Sequence, residues 1–419
     1  MYRLRLWIIQ ARRVLSDRSA KIGLSVFVAG ATVSLSLLAL YPAEAPSVII
    51  SVVSSSTASF AGAYVSYAVI ARHLVGTERD RIDSPGSVCK RYDDRLPLLE
   101  VDALRSAVAD LRSPNAAEPL DPDERGYAAL PCVLVELDVD DSLSASIEIQ
   151  SRTYEFPPSV DSLLEPRMDD LREQFGAEGK FNARKARLEG IEGDTIRVSE
   201  TSYFRSFCTN FAPDRRGPNG GPTLRESFDG EFVRGDGLVS LGDSPFSDHL
   251  GGGGLAITTD GRARLGVRAA DVTVGEKKVG HAFGGNFEYR NLAAGANFSD
   301  ELRREAREEI TGLDSESIYE TAGLGLVRRV DWLGKPDVHS VALIDGSETY
   351  RQSESEFYDD LTVELPLGDV ENLDELFEPE TAKKCVRRIH ERVEETPLSP
   401  SVNYYVSLEL WLRRAGVDH

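Results

Sequence analysis

The sequence predicts an α+β chain: an N-terminal two-helix transmembrane hairpin followed by a cytosolic domain of strands and helices. Three observations carry this. Two long uncharged apolar runs stand near the N-terminus. Alternating apolar residues between turn signals recur further along, and a helix after residue 300 sorts its charges onto separate sectors. With 419 residues the chain can form two or three folded units.

The first apolar run is Ile22 to Tyr41 and the second Pro46 to Ala71. As helices rising about 1.5 Å per residue, each reaches across a hydrocarbon core of about 30 Å. Arg3, Arg5, Arg12, Arg13, Arg18 and Lys21 precede the pair, and Arg72, Arg79 and Arg81 follow it. The positive-inside rule therefore puts both termini in the cytoplasm of a multi-pass protein of the cell membrane. The rival reading is a cleaved signal, since Ala43-Glu44-Ala45 imitates a cleavage site and Arg12-Arg13 a twin-arginine signal. The first run, however, exceeds an h-region of about 7–15 residues, and a second span follows at once. Small residues such as Ser51, Ser55, Ser59 and Gly62 suit close packing of the second helix.

Residues 76–180 read as a linker and small α/β connecting region after the hairpin of residues 1–75. Leu96 to Arg112 and Asp161 to Phe175 have helical spacing, while Val133, Val135, Leu137 and Val139 alternate and lead through a turn to Ile147 and Ile149 as a hairpin. Residues 181–419 form the remaining domain. The net charge of -21 comes from 69 acidic and 48 basic residues. Only 9 of the basic residues are lysine, leaving 39 arginines, a balance that suits a halophilic protein. The Debye length at 1 M salt is about 3 Å, so an anionic ligand must be held by close contacts or a bridging metal. So acidic a chain is not expected to bind DNA. Cys89, Cys132, Cys208 and Cys385 have no metal-type spacing and read as reduced thiols.

From Gly251 the pattern sharpens. "GGGGLAITTDGRARLGVRA" predicts two strands joined by an Asp260-Gly261 turn, and "GHAFGGNFE" places Gly284 and Gly285 in a turn that permits close backbone approach to a ligand. Ser299 is the expected N-cap of the helix "ELRREAREEITGL". At about 100° per residue, Glu301, Glu305, Glu308 and Glu309 share a sector beside the apolar one of Leu302, Ala306, Ile310 and Leu313. A solvated ion-paired helix interleaves its signs; acids gathered beside a core repel one another unless a cation relieves them. Hard oxygen ligands suit Mg²⁺ or Mn²⁺, which makes Glu305, Glu308 and Glu309 the candidate metal ligands.

This order of strand, Gly-Gly, loop and Arg-Glu-x-x-Glu-Glu helix resembles the Nudix family, with Arg304, Glu305, Glu308 and Glu309 on its "REUxEE" core and "FGGNFE" similar to its "PGGxxE". The resemblance implies a Nudix-like α/β/α sandwich in which the glutamates hold Mg²⁺ against a phosphate linkage. Glu305 becomes the candidate catalytic carboxylate, and Gly284, Gly285, Arg268 and Arg304 the candidate nucleotide-binding residues. Arg304 lies nineteen residues after Gly285 where the family has fourteen, Ala296 replaces its upstream glutamate, and Gly312 falls one position late. The phrases "ETSYFRSFCTNFAPD", "LVSLGDSPFSDHLGGGGLAITTDGR" and "LSPSVNYYVSLELWLRR" look like the flanks of Nudix-like domains associated with cyclic-oligonucleotide synthases in antiphage defence (CBASS). That likeness implies a nucleotide-sensing effector, expected as a homo-oligomer, whose partners are a nucleotide second messenger, the lipid bilayer and, functionally, such a synthase. The alternative it leaves is a Mg²⁺-dependent hydrolase of nucleoside diphosphate derivatives.

His281 can contact a phosphate or be a satisfied surface histidine, and "SESE" (Ser353 to Glu356) can add a carboxylate to the metal or be a solvated loop. Trp411 is most simply core.

Overall fold

A computed structural model describes residues 85–109, 129–135, 143, 145–177, 182–216, 221–268, 278–346, 350–352, 357–396 and 398–417. The chain divides into two units, Met1–Asp80 and Arg81–His419, and all the described residues belong to the second. In chain order they form α1 (Pro85–Tyr92), β1 (Leu98–Glu100), α2 (Asp102–Val108), β2 (Ala129–Val135), β3 (Ser146–Thr153), α3 (Pro158–Leu164) and α4 (Met168–Ala177). Next come β4 (Arg184–Glu192), β5 (Thr195–Ser202), α5 (Tyr203–Cys208), α6 (Leu224–Phe232), β6 (Val233–Arg234), β7 (Gly237–Leu238), β8 (Gly251–Thr258), β9 (Arg262–Arg268), β10 (Lys278–Gly280) and β11 (Phe283–Asn286). The rest are α7 (Tyr289–Ala293), α8 (Phe298–Glu309), β12 (Ile310–Thr311), β13 (Ile318–Arg329), β14 (Lys335–Ile344), β15 (Arg351–Gln352), β16 (Phe357–Glu364), α9 (Pro379–Glu394), β17 (Ser399–Pro400) and α10 (Val402–Arg414).

Ten strands make one curled sheet in the order β1-β2-β13-β14-β8-β9-β10-β17, with β11 added on β8 and β16 on β9. The curl has a local cause at β8. Its first half, Gly251–Gly254, pairs with β11, and its second half, Ala256 and Ile257, pairs with β9 across the turn at Gly261. Its other edge runs parallel to β14 over eight residues. The side chains of β8 alternate between two cores, as a strand's must. Leu255 and Ile257 face α2, α9 and α10, together with Val386, Leu408 and Trp411. Ala256 faces α8 and the three-stranded sheet β3-β5-β4, with Leu302, Phe287 and Val198. The glycines have a steric cause: a Cβ on Gly252 would lie 2.6 Å from the Phe287 ring, and one on Gly254 would lie 2.5 Å from the Ser340 carbonyl. Trp411 is core, and its indole N–H donates to the Leu376 carbonyl at 2.8 Å.

The expected transmembrane hairpin with a following α/β/α sandwich is corrected to a mixed α/β fold around this curled sheet. Among the described residues no helix is long and apolar enough to cross a membrane. The long helix α9 has 16 residues, about 24 Å at 1.5 Å each, and carries charges on one side. The face expected to be covered by helix alone also holds a second sheet. The expected multi-pass placement in the cell membrane is corrected to the same extent: the described residues contain no helix that could span it. The apolar runs of 22–41 and 46–71, like "SESE", lie outside the described residues.

Local expectations fail for identifiable reasons. The helix expected from Leu96 starts only at Asp102, because Leu98–Glu100 pairs with β2 and Pro97 disfavours a helical Leu96. Pro166 splits the helix expected over 161–175 into α3 and α4 around a 3₁₀ turn. The hairpin of β2 and β3 does not form, since β2 joins β13 in the large sheet and β3 joins β5 in the small one. The cysteines are free, and burial pushes the thiols of Cys89, Cys208 and Cys385 up to about 12. The folded protein is therefore expected to react slowly with a disulfide reagent at pH 8, and all four thiols to react once denatured; rapid native labelling would contradict this burial.

Candidate functional site

Helix α8 begins two residues earlier than Ser299 suggests, because Asn297 and Asp300 satisfy each other's backbone N–H groups at 2.9 and 3.0 Å. Phe298, Leu302, Ala306 and Ile310 pack into the core beneath it. Residues four apart share a helix edge, so Glu301, Glu305 and Glu309 form a buried stripe, 1%, 6% and 6% exposed. Glu308 stands outside the stripe, its side chain 59% exposed, drawn to Arg304 at 2.8 Å.

Each buried carboxylate has a different surrounding. Glu301 accepts from the Glu288 backbone N–H at 2.7 Å and from Asn291 Nδ2 at 2.6 Å, so it fastens the loop before α8. Glu305 lies against Gly285, where a Cβ would overlap its carboxylate. Glu309 accepts from the Gly284 N–H at 2.5 Å, and Arg268 Nη1 at the end of β9 lies 3.6 Å from its other oxygen. The Arg268 guanidinium also stacks 5.0 Å over the Phe357 ring. Arg304 ties the stripe together, reaching Glu301 at 3.0 Å, Glu305 at 2.5 Å and Glu308. Gly284 and Gly285 sit in strand β11 opposite Gly253 and Gly252, rather than in a turn.

Burial raises the Glu305 carboxyl to about 7 despite the opposing charges of Arg304 and Lys185. Lys185, on β4, was not singled out in the sequence, where nothing in "FNARKARLEG" marks it. It donates to Glu288 at 2.6 Å and to the Asn286 carbonyl at 3.1 Å. His281 is half-buried: its Nε2 lies 2.8 Å from Ser407 Oγ and 3.2 Å from His339 Nδ1, and desolvation lowers it to about 3. Its Nδ1 packs against β8, where a Cβ on Gly253 would lie 2.4 Å away.

Among the described residues no group of three or more His, Cys, Asp or Glu side chains converges as a metal centre. The donor set facing β11 is two carboxylates, Glu305 and Glu309. That number suits Mg²⁺ with its remaining positions given to water and ligand phosphates. The arrangement supplies two anionic oxygens, a glycine backbone that lets a ligand come close, and cationic groups at its margin.

No family model matches the chain, and no curated protein matches it. A solved structure, DR0079 from Deinococcus radiodurans, is similar at 12% identity with a TM-score of 0.26, over 38% of this chain and 80% of that one.

Proposed function

We propose that this protein is a Nudix-like nucleotide sensor in which Glu305 and Glu309 hold Mg²⁺ or Mn²⁺ against a phosphodiester-linked nucleotide. The reading includes a response to a cyclic oligonucleotide second messenger, the role that the resemblance to defence-associated domains implies. The observation that supports it is the apposition of the buried Glu305–Glu309 edge to Gly284–Gly285. Arg304 on Glu305 and Arg268 beside Glu309 offset part of the cost of burying these carboxylates, and a divalent cation at the Gly284–Gly285 face would take over those contacts. Arg268 stands where it can meet ligand phosphate once a cation takes over Glu309. Glu308, paired outward with Arg304, is a less direct ligand and holds Arg304 in place.

The second reading, a hydrolase, is favoured by the raised Glu305 carboxyl, which suits a general base near neutral pH. Against it, the insertion before α8 displaces the parts that position substrate, and a misplacement of about 1 Å can cost about a hundredfold in rate. The test is calorimetric titration of the full-length chain with cyclic oligonucleotides and nucleotide cofactors, with Mn²⁺ or with EDTA, while following product formation. Metal-dependent binding is expected, lost at least tenfold in Glu305→Gln combined with Glu309→Gln. Turnover near 1 s⁻¹ or faster would establish the hydrolase instead, and binding unaffected by the double substitution would remove both readings.

A further inference from the structure

Arg304 makes a contact that its place on α8 does not predict. Helix neighbours at i and i+1 point away from each other, while those three or four apart meet. Arg304 accordingly reaches Glu301 behind it and Glu308 ahead of it, at 3.0 and 2.8 Å. Its Nη2 also donates to the adjacent Glu305, at Oε1, at 2.5 Å. A forked guanidinium has the width to hold three carboxylates at once; a single ammonium does not.

The three partners depend on Arg304 unequally. Glu301 is satisfied without it, since the Glu288 N–H and Asn291 Nδ2 already donate to its two oxygens. Glu308 faces solvent. Glu305 is buried, and among the described residues Arg304 is its one hydrogen-bond donor. Of the contacts Arg304 makes, the one to Glu305 is therefore the one that a cation at the Gly284–Gly285 face has to break.

We infer that Arg304 gates this edge, so that the site refuses a free divalent cation and admits one that arrives with a phosphate; the role rests on reading the edge as the metal site of a nucleotide sensor. A lone cation must evict the guanidinium N–H from Glu305 and leave it without an acceptor. A hydrogen bond to a charged group is worth about ten- to a hundredfold in an equilibrium, and Mg²⁺ sheds its own water reluctantly. A cation that carries phosphate brings the acceptor with it. Glu301 and Glu308 still hold Arg304 in place, so its freed N–H donates to a phosphate oxygen, an acceptor that guanidinium suits well. Cation and phosphate thereby strengthen each other's binding by the same factor. Such a gate keeps the sensor unloaded in free Mg²⁺ until its nucleotide appears.

The test measures Mn²⁺ bound to the full-length protein at pH 8 by electron paramagnetic resonance, first alone and then with adenosine monophosphate as a soluble phosphate ester. So acidic a chain holds Mn²⁺ elsewhere too, and the component read is the one lost in Glu305→Gln combined with Glu309→Gln. Arg304→Lys keeps the charge but lacks the fork, which frees Glu305. It is expected to bind Mn²⁺ alone at least fivefold more tightly than the wild type, a gain that a change in net charge cannot explain. Arg304→Gln should gain at least tenfold. Adenosine monophosphate should tighten Mn²⁺ at least tenfold in the wild type and at most threefold in either variant. Binding of Mn²⁺ by Arg304→Lys no tighter than by the wild type, or equal tightening by adenosine monophosphate in all three proteins, would overturn the gate and leave the metal site standing. Absence of any component that depends on Glu305 and Glu309, in all three proteins, would remove the metal site as well.

Discussion

Replacing Glu305 with Gln is expected to stabilise the protein at pH 8 in EDTA by about 3 kcal/mol, and to leave its stability at pH 4 nearly unchanged. Burial lifts this carboxyl from 4.5 to about 7, a rise of about 2.5 units, and each unit corresponds to about 1.36 kcal/mol. The sign follows from proton counting. Between 4.5 and about 7 the folded protein holds a proton that the unfolded chain has released, so folding stability falls as pH rises across that window. Below 4.5 the cost is absent; above 7 it is complete. Glutamine keeps the shape and never ionises, so it escapes the cost. Mg²⁺ should act in the opposite sense on the wild type, raising its melting temperature at pH 8 and leaving that of Glu305→Gln almost unmoved. Thermal unfolding at the two pH values, with and without Mg²⁺, is the measurement. Equal stabilities of the two proteins at pH 8 in EDTA would show that the carboxylate is not under this strain.

Gly285→Ala should reduce metal-dependent nucleotide binding at least tenfold while the chain still folds. The added methyl would occupy the space of the Glu305 carboxylate, a flexible end that can be pushed aside. Overpacking of this kind costs about 1–3 kcal/mol, but the functional loss is greater because the displaced group is a proposed ligand. Gly284→Ala is milder, as its nearest new contact is the Gly252 carbonyl at 3.2 Å. Shortening the acid should restore room, so Gly285→Ala with Glu305→Asp is expected to regain part of the binding. Full binding by Gly285→Ala alone would mean that Glu305 plays no part at this surface.

Helix α8 was legible in the sequence because its signal is local: charge sector and apolar sector lie within the thirteen positions 301–313, while its cap is Asn297 and not the expected Ser299. The Asp260-Gly261 hairpin was legible for the same reason. Glu308 misled because an angular sector cannot tell which of its members the neighbouring loop covers. Only the fold shows residues 288–291 closing over Glu301 while Glu308 is left to solvent and Arg304. Gly284 and Gly285 signal freedom of the backbone equally well in a turn and in a strand squeezed against other glycines. Lys185 was invisible, since it reaches its place by pairings between distant segments. An apolar run records hydrophobicity without its surroundings, which is why the membrane hairpin was the expectation least tied to the described fold.

The split edge of β8 also sets an order on assembly. Its parallel partner β14 lies 86 residues later in register, Gly251 against Asp337, and β2 waits still longer for β13. At a synthesis rate of about 5–20 residues per second, β8 spends roughly 4–17 s without the strand that completes its sheet. Closing so long a loop is entropically slow. The glycines are the residues that gain least from burying side chains while they wait. A nascent chain therefore exposes the backbone of Gly251–Gly254 as an open edge during this interval. Its quality-control burden falls on synthesis more than on the finished molecule.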